Sequence, residues 1–217
     1  MKDLWYDKIL KVNLISSCFV WLLSSFNFYL ITFYLKKFPG SIYINSIVFA
    51  FADMVAFASS GLILKYFLIS QGLSFSYGLS LISGILYLIF HDMEEQFPWL
   101  IPVLVCFCRV GGSMSFNIGY ISVARLFPTR FVATVFGIVN FVSHSVTVGA
   151  PMVAELPEPI PFFVFCANAF LAIFACLQLI ELDRAKKIAQ KLRERQQNER
   201  LKNFISGPEV KSQNNIF

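Results

Sequence analysis

Residues Arg125–Arg130 read Arg-Leu-Phe-Pro-Thr-Arg, a short basic turn that separates two long apolar stretches of the chain. Each of these stretches contains one ionisable residue, Arg109 before the turn and His144 after it. A charge in the middle of a membrane span is costly and is usually retained for a function. These features predict two membrane-spanning helices, joined by a basic turn, that carry functional polar groups inside the membrane.

The composition of the whole chain agrees with that prediction. Hydrophobic residues make up 57% of the sequence and charged residues 14%, with a mean hydropathy of +0.65. A soluble domain is about half apolar and about a quarter charged, so the chain is a membrane protein by composition. The net charge of +5 comes from basic residues at span ends and in the C-terminal tail. Membrane topology accounts for them better than a nucleic-acid interface, and no nucleic acid is expected as a partner.

Catalytic, metal and nucleotide chemistry have little support in the sequence. The five cysteines all lie inside apolar stretches, at positions 18, 106, 108, 166 and 176. Cys106 and Cys108 point to different sides of a helix, which argues against a zinc or dithiol site. The one cluster that could suggest an enzyme site, within residues 91–95, falls in a short exposed loop. No phosphate-binding Gly-rich loop occurs in the sequence, so we expect no enzyme, no ATP-driven transport and no metal or cofactor.

Six apolar stretches are long enough to cross a hydrocarbon core about 30 Å thick, which takes roughly 20 residues at a rise of about 1.5 Å per residue. They cover approximately residues 12–35, 42–66, 73–90, 99–123, 132–154 and 160–180. Gln71-Gly72 is taken as the break before the third stretch, and this boundary is poorly marked. The sequence therefore predicts an all-α membrane protein with six transmembrane helices. It divides into an N-terminal segment (1–11), a six-helix transmembrane domain (12–180) and a basic tail (181–217).

The distribution of lysine and arginine predicts the orientation of these helices. One side of the membrane holds the basic turn and most of the other basic residues, namely Lys2, Lys8, Lys11, Lys65 and those of the tail. The opposite side holds Lys36 and Lys37 together with the acidic loops 92–95 and 155–158. Because basic residues are retained on the cytoplasmic side, both termini are expected in the cytoplasm.

The tail differs from the rest of the chain after Ile180. Residues 181–204 are of mixed charge with a thin apolar stripe, which predicts a cytoplasmic helix, and residues 206–217 have the composition of a disordered segment. The basic residues of the helix could hold anionic lipid headgroups. The simpler alternative, a solvated helix that helps to set the topology, is preferred.

Three ionisable residues stand out because each falls near the middle of a predicted span: Asp53 in the second, Arg109 in the fourth and His144 in the fifth. Ionisable groups at one depth on several helices suggest a shared polar cavity, the usual place for a secondary transporter to bind its solute. Alternatively, Asp53 and Arg109 form an ion pair that only fastens two helices, although such a pair adds little net stability. We favour the cavity, and for His144 both roles stay open.

Helical spacing separates a polar face from a packing face. The fourth span carries polar residues on one face, Arg109, Ser113, Asn117 and Tyr120. A separate ridge consists of the small residues Gly111, Ser115 and Gly119, which permit close approach of helices in lipid. The fifth span repeats the polar pattern with Asn140, His144, Thr147 and Pro151. Gly149 and Pro151 weaken that helix near its outer end, which predicts a bending point for gating.

The stretch from Arg109 to Pro151 resembles the C-terminal half of a major facilitator superfamily transporter, helices seven to twelve, and most of all the organic cation and anion transporter branch. That branch has Arg-X-Gly at the start of its tenth helix, and Arg109–Gly111 matches it. Its Leu-Tyr/Phe-Pro-Thr turn corresponds to Leu126–Thr129, and the proline that closes its eleventh helix corresponds to Pro151. Asp53 falls where the branch has an acidic residue in its eighth helix.

The resemblance extends over most of residues 12–180 and implies transport of a small organic solute by alternating access. In that fold the first, second, fourth and fifth helices of each half line a cavity, and the third and sixth are peripheral. The substrate-binding residues it implies are Asp53, Arg109, His144, Asn27, Tyr29, Ser113, Asn117, Tyr120 and Asn140. The gating residues it implies are Lys65, Arg125, Pro128, Arg130 and Pro151.

The chain departs from the branch at the cytoplasmic gate. The usual glutamate of the turn is Arg125 here, and the arginine that normally comes later in the turn is displaced to Arg130. The basic motif between the eighth and ninth helices is reduced to Gly61 and Lys65. We therefore expect the latch of this gate to be altered or lost.

The expected charge of the solute is inferred from three residues. The position of His144 is acidic in cation carriers of the branch and basic in its anion carriers. His144 and Arg109 together lean towards an anionic or zwitterionic solute, which Asp53 opposes. Asp53 or His144 is the candidate for coupling to a proton, because protonation changes its charge within the cavity.

Alternating access requires two six-helix halves, and this chain supplies one. It is therefore expected to be a truncated or partial sequence, or a half that pairs with a missing N-terminal half or with a second six-helix chain. A plasma-membrane location is the default of the family. The alternative function is that of a half-transporter remnant that no longer transports and acts as a membrane scaffold or interaction protein.

Overall fold

A computed structural model describes residues 8–37, 41–93 and 99–179 of the chain. The helices that this part of the chain forms are α1 (Lys8–Tyr34), α2 (Ile42–Tyr66), α3 (Ile69–Phe90), α4 (Leu100–Leu126), α5 (Thr129–Thr147), α6 (Ala150–Ala154) and α7 (Ile160–Leu177). Short 3₁₀ turns follow α1 and α3, at Leu35–Lys37 and His91–Met93. The described residues contain six spans that are long and apolar enough to cross a membrane, with α5 and α6 together forming the fifth. The predicted all-α class with six spans is therefore confirmed.

The third helix begins earlier than the sequence predicted. We expected it at residue 73 because Gln71-Gly72 was taken as a break, but α3 starts at Ile69. The Gln71 side chain accepts a hydrogen bond of 3.3 Å from the backbone nitrogen of Leu68. Gln71 therefore satisfies one of the free donors at the helix start, and a polar residue that appeared to interrupt the helix instead stabilises its first turn.

Two tight turns of similar geometry join helices at the same end of the bundle. In the Arg125–Arg130 turn, α4 ends at Leu126, Phe127 is extended, and Pro128 is the residue before α5. The α2–α3 turn at Phe67 and Leu68 has the same form, with Phe67 extended and its N–H donating to the Ile63 carbonyl. We call this end the basic-turn end. The opposite end, which carries the loop from α6 to α7, is the acidic-loop end.

Helix α1 is the centre of the bundle. It packs against α4, α5, α6 and α7, while α3 lies against α4 and α7, and α2 lies against α4. Hydrogen bonds between side chains fix several of these contacts, such as Ser24 with Ser115 at 2.9 Å. Tyr77 donates to the Val20 carbonyl at 2.8 Å, which joins α3 to α1. Within the spans, α1 and α4 are the most buried, whereas α2 and α5 are the most exposed.

The predicted ridge of small residues is confirmed, and it serves two neighbouring helices. A Cβ on Gly111 would lie within 2.7 Å of the Ser76 carbonyl oxygen on α3. Gly119 faces α1, where a Cβ would meet the Trp21 ring at 3.3 Å. Only glycine permits the approach of α4 to α3 at position 111, because any side chain there would collide with backbone.

The Gly111→Ala substitution is expected to destabilise the bundle by about 1–3 kcal/mol, since the added methyl group must push α3 away from α4. Gly112→Ala is the matched control, because a Cβ at Gly112 meets nothing within 4 Å. Thermal unfolding of the purified protein in detergent measures both. Equal melting temperatures for the two variants would contradict the close contact.

The predicted orientation of the termini is not tested by this fold. Residues 1–7 and the tail 181–217 lie outside the described residues, as do Glu94 and Glu95 of the acidic loop. The orientation and the role of the tail therefore stay predictions.

Candidate functional site

Asp53 and Arg109 form a close ion pair between α2 and α4. Arg109 Nε donates to Asp53 Oδ1 at 2.7 Å, and Nη2 donates to Oδ2 at 2.6 Å. The two parallel hydrogen bonds make the pair bidentate, which is the strongest geometry available to these groups. The Arg109 side chain is 7% exposed and that of Asp53 is 20% exposed. The ion pair, which was the less favoured alternative from the sequence, is thus present.

Helix α1 completes the surroundings of the guanidinium group. Arg109 Nη1 donates to the Phe28 carbonyl oxygen at 3.1 Å and to the Thr32 hydroxyl. The guanidinium carbon lies 3.9 Å from the centre of the Phe28 ring, a cation–π contact. Ser113, one turn beyond Arg109 on α4, donates a hydrogen bond to Asp53 Oδ1. The pair therefore ties α1, α2 and α4 together, and every nitrogen of Arg109 has an acceptor within the chain.

A partly exposed aromatic surface adjoins the ion pair. We define it by Phe28, Tyr29, Phe116, Tyr120 and His144. The Phe28 ring lies 5.4 Å from that of Tyr29 and 5.1 Å from that of Phe116, measured between centres. Tyr29 and His144 are 6.4 Å apart, and Phe116 and Tyr120 are 5.1 Å apart. The surface thus extends without interruption from the guanidinium group of Arg109 to the exposed ring of His144.

His144 is separate from the ion pair. Its ring is exposed and contacts the ring of Tyr29, whereas Asp53 and Arg109 form an ion pair with each other. Of the three ionisable residues, the structure therefore brings two together directly and connects the third to them through the rings of Tyr29 and Phe28.

The three asparagines predicted for the site form hydrogen bonds in different parts of the bundle. Asn117 donates to the Ser60 hydroxyl and links α4 to α2 on the side of the ion pair that faces the basic-turn end. Asn140 donates to the Phe136 carbonyl of its own helix at 2.8 Å. Asn27 is buried against α7, where it donates to the Phe165 carbonyl at 3.2 Å and accepts from Asn168 at 3.3 Å. Asn117 thus lies about two helical turns from Arg109, while Asn27 faces α7.

The predicted gating residues fall at both ends of the bundle. At the basic-turn end, Arg125 donates to the Leu64 carbonyl at 3.3 Å, which joins the last turns of α4 and α2. Lys65 and Arg130 are exposed at the same end, and Pro128 is the residue before α5. Arg125 thus contacts a helix terminus at this end, and an altered latch stays a prediction.

The fifth span breaks where the sequence predicted a bending point. Helix α5 ends at Thr147, and Val148 and Gly149 form a turn before α6. Pro151 lies in the first turn of α6, a position that a helix tolerates because no hydrogen bond is lost there. The break is confirmed, and a role for it in gating stays a prediction.

Sequence reasoning missed Phe28 and Thr32 as partners of Arg109. Both lie on one face of α1 at i and i+4, and Thr32 Oγ1 donates to the Phe28 carbonyl at 2.7 Å. That spacing could be read from the sequence, but the sequence did not indicate that this face of α1 meets the fourth span.

The described residues bring no three histidine, cysteine or carboxylate side chains close enough to hold a metal ion.

These observations define the class of protein to which the chain belongs. Six membrane-length helices make the chain a multi-pass integral membrane protein, and it carries a buried ion pair beside an aromatic surface. The sequence is 24% identical over 180 residues to the human protein solute carrier family 22 member 13. The match covers 81% of this chain and 32% of the human protein, so the chain spans about a third of the length of that relative. The sequence matches no family model.

The similarity is distant and extends over most of the predicted transmembrane domain. Solute carrier family 22 is the organic cation and anion transporter family of the major facilitator superfamily. The match therefore agrees with the resemblance read from Arg109 to Pro151, and it suggests transport as the general function.

Proposed function

We propose that this chain is half of a secondary transporter for a small organic ion, with a lean towards an anionic or zwitterionic solute. The observation that carries the proposal is the buried Asp53–Arg109 pair beside a partly exposed aromatic surface. An ion pair alone would suit a structural role. A pair that opens onto aromatic rings offers a solute both a charge and an apolar platform.

The solute binds by exchange of partners at Arg109. An unpaired charge is expensive within the membrane, so Arg109 needs a carboxylate throughout the transport cycle. The planar guanidinium group binds any carboxylate in the same bidentate manner as Asp53, and a solute carboxylate can therefore replace Asp53. Asp53 then takes up a proton, which removes its charge, and keeps its hydrogen bond with Ser113. This exchange couples solute binding to a change in the contact between α2 and α4.

His144 and the aromatic rings bind the rest of the solute. The exposed His144 ring lies at the far side of the aromatic surface from Arg109, which suits a second polar group of the solute. Phe28 and Phe116 are stacked with an interplanar angle of 17°, and a flat solute can extend this stack. These contacts favour a planar organic acid.

A second six-helix unit is needed for alternating access. Helices α2 and α5 are the most exposed of the spans, and they carry Asp53 of the ion pair and His144 of the aromatic surface. The second unit, a missing N-terminal half or another six-helix chain, packs against these two helices and closes the cavity. The plasma membrane is the proposed location.

Uptake by membrane vesicles tests the proposal. Vesicles from cells that express the chain are given radiolabelled benzoate, a planar organic anion, or tetraethylammonium, an organic cation. We expect benzoate to accumulate above the level of vesicles without the chain, and tetraethylammonium to accumulate less. Uptake of neither compound, with the protein present in the membrane, would count against the transporter.

The His144→Ala variant is expected to raise the KM for para-hydroxybenzoate, which carries a second polar group, by about tenfold, the effect of losing roughly one polar contact. Its melting temperature should stay unchanged because the ring is exposed. Ser145→Ala is the matched control, since Ser145 is the exposed neighbour of His144 and its hydroxyl donates to the Phe141 carbonyl of its own helix. An equal KM in the two variants would remove His144 from the site.

One observation favours the alternative of a membrane scaffold that does not transport. Each nitrogen of Arg109 already has a partner inside the chain, as a purely structural pair requires. A scaffold should tolerate Asp53→Asn and Arg109→Gln without loss of function, whereas a transporter should not.

A further inference from the structure

A cluster of four polar side chains closes the acidic-loop end of the bundle. Tyr34 comes from α1, Tyr87 from α3, His91 from the turn after α3, and Glu158 from the loop between α6 and α7. The Tyr34 hydroxyl lies 2.5 Å from Glu158 Oε1 and 2.7 Å from the Tyr87 hydroxyl. His91 Nε2 lies 3.3 Å from Glu158 Oε2. Both oxygens of Glu158 are therefore held, by residues of two different helices.

The directions of these hydrogen bonds follow from the number of protons. A tyrosine has one hydroxyl proton, and Tyr34 donates it to Glu158. The bond between Tyr34 and Tyr87 must then run from the Tyr87 hydroxyl to the Tyr34 oxygen. Tyr87 thereby supports the bond from Tyr34 to the carboxylate. Chains of this kind, which end on a charged acceptor, are stronger than the same bonds taken singly.

Aromatic packing fixes the two tyrosines. Tyr34 and Tyr87 are each 2% exposed, and Phe162 of α7 contacts both rings, at 5.0 Å and 3.6 Å between centres. The His91 ring stacks on Tyr87 at 5.4 Å. Glu158 itself is about one third exposed. The two tyrosines are therefore buried and held by packing, while the carboxylate that Tyr34 contacts belongs to a loop.

The loop that carries Glu158 is connected to a break between two helices. It follows α6, a helix of five residues, which in turn follows the Val148–Gly149 break. Directly before the break, Thr147 lies 3.0 Å from Ser25 of α1, so the end of α5 is held in place. Residues 150–159, which we call the strap, are thus connected to a fixed helix through a short turn.

Weaker contacts also hold the strap. Lys36 forms an ion pair with Glu155, and Lys37 donates to the Leu156 carbonyl at 2.6 Å. Both contacts are exposed, and exposed ion pairs add little stability.

Apolar packing holds the strap as well, because Ala150 and Ala154 of α6 are fully buried and α6 packs against α1. The contacts of Tyr34 and His91 with Glu158 are the polar attachment of the far end of the strap to α1 and to the turn after α3.

We propose that the contacts of Tyr34 and His91 with Glu158, which we call the clasp, hold the strap closed over the acidic-loop end. Breaking these contacts lets the strap move about Val148–Gly149. The clasp is a conformational device of this chain and does not depend on which solute, if any, is carried. It fixes the end of the strap that is farthest from the Val148–Gly149 break, since Tyr34 and His91 hold Glu158 in the closed position.

Hydrogen–deuterium exchange of the purified protein tests the clasp. A five-residue helix does not persist alone, so the amides of the strap exchange quickly once it leaves the bundle. In Glu158→Gln and in Tyr34→Phe we expect exchange of residues 152–156 to be about tenfold faster or more, the effect of losing a hydrogen bond to a charged group. Exchange of α4 should be unchanged.

Lys36→Gln is the matched control, because it removes a contact to the same loop outside the clasp, and it should change exchange by less than about twofold. Tyr34→Phe keeps the buried ring and serves as the decisive variant if Glu158→Gln does not fold. Wild-type exchange in Tyr34→Phe would overturn the proposal. Faster exchange in α4 as well as in the strap would also overturn it, because the cluster would then support the whole bundle.

Discussion

Replacement of Arg109 by alanine is expected to reduce benzoate uptake to background and to lower the free energy of unfolding by about 3–5 kcal/mol. The loss of stability arises because Asp53 remains buried next to α4 without its partner, and breaking a buried pair on one side costs about that amount. The loss of uptake arises because the solute carboxylate no longer has a guanidinium group to bind. Uptake in membrane vesicles and thermal unfolding in detergent measure the two effects.

Arg109→Lys is the control for this variant. It keeps the positive charge but loses the bidentate geometry and the contact with Phe28, so we expect intermediate stability and strongly reduced uptake. Undiminished uptake in Arg109→Ala, with the protein present in the membrane, would remove Arg109 from the transport site.

The double variant Asp53→Asn with Arg109→Gln is expected to recover at least about 2 kcal/mol of stability relative to either single variant. Two neutral amides leave no unpaired charge in the membrane, and neighbouring residues of one network are not additive. Uptake should nevertheless stay at background, because the amide pair offers no charge to the solute. In this variant the stability is therefore partly restored while the transport activity stays lost.

Melting temperatures of the wild type, the two single variants and the double variant provide the double-mutant cycle. Strictly additive losses would mean that the two side chains do not interact, in conflict with their 2.6 and 2.7 Å contacts. Full uptake in the double variant would show that the pair is not needed for transport and would place the solute site elsewhere in the chain.

The transmembrane helices could be predicted because the properties that define them are local. Length and apolarity identify a span, and the Arg125–Arg130 turn was placed within a few residues. The start of α3 was missed because Gln71 can either break a helix or cap it, and only its bond to Leu68 distinguishes the two. The break before α6 was found since Gly149 and Pro151 weaken a helix through their own backbones.

Side-chain partners were less predictable, because they depend on which helix faces come together. The sequence placed Asp53 and Arg109 at similar depth, and the structure joins them. It did not indicate that Asn27 faces α7, since its partner Asn168 lies 141 residues away. The link between Tyr34 and Glu158 spans 124 residues and was likewise not foreseen. In both cases the sequence supplied the polar groups, while helix packing decided their partners.

The central claim is that this chain is one half of a transport unit, and the mass of the active species tests it most directly. Detergent extracts of the membranes that express the chain are separated by size, and each fraction is reconstituted and assayed for benzoate uptake. We predict uptake in fractions whose polypeptide mass is about twice the 24.7 kDa of this chain or more. Uptake by a fraction that contains a single copy of the 24.7 kDa chain, with no second six-helix unit, would contradict the account.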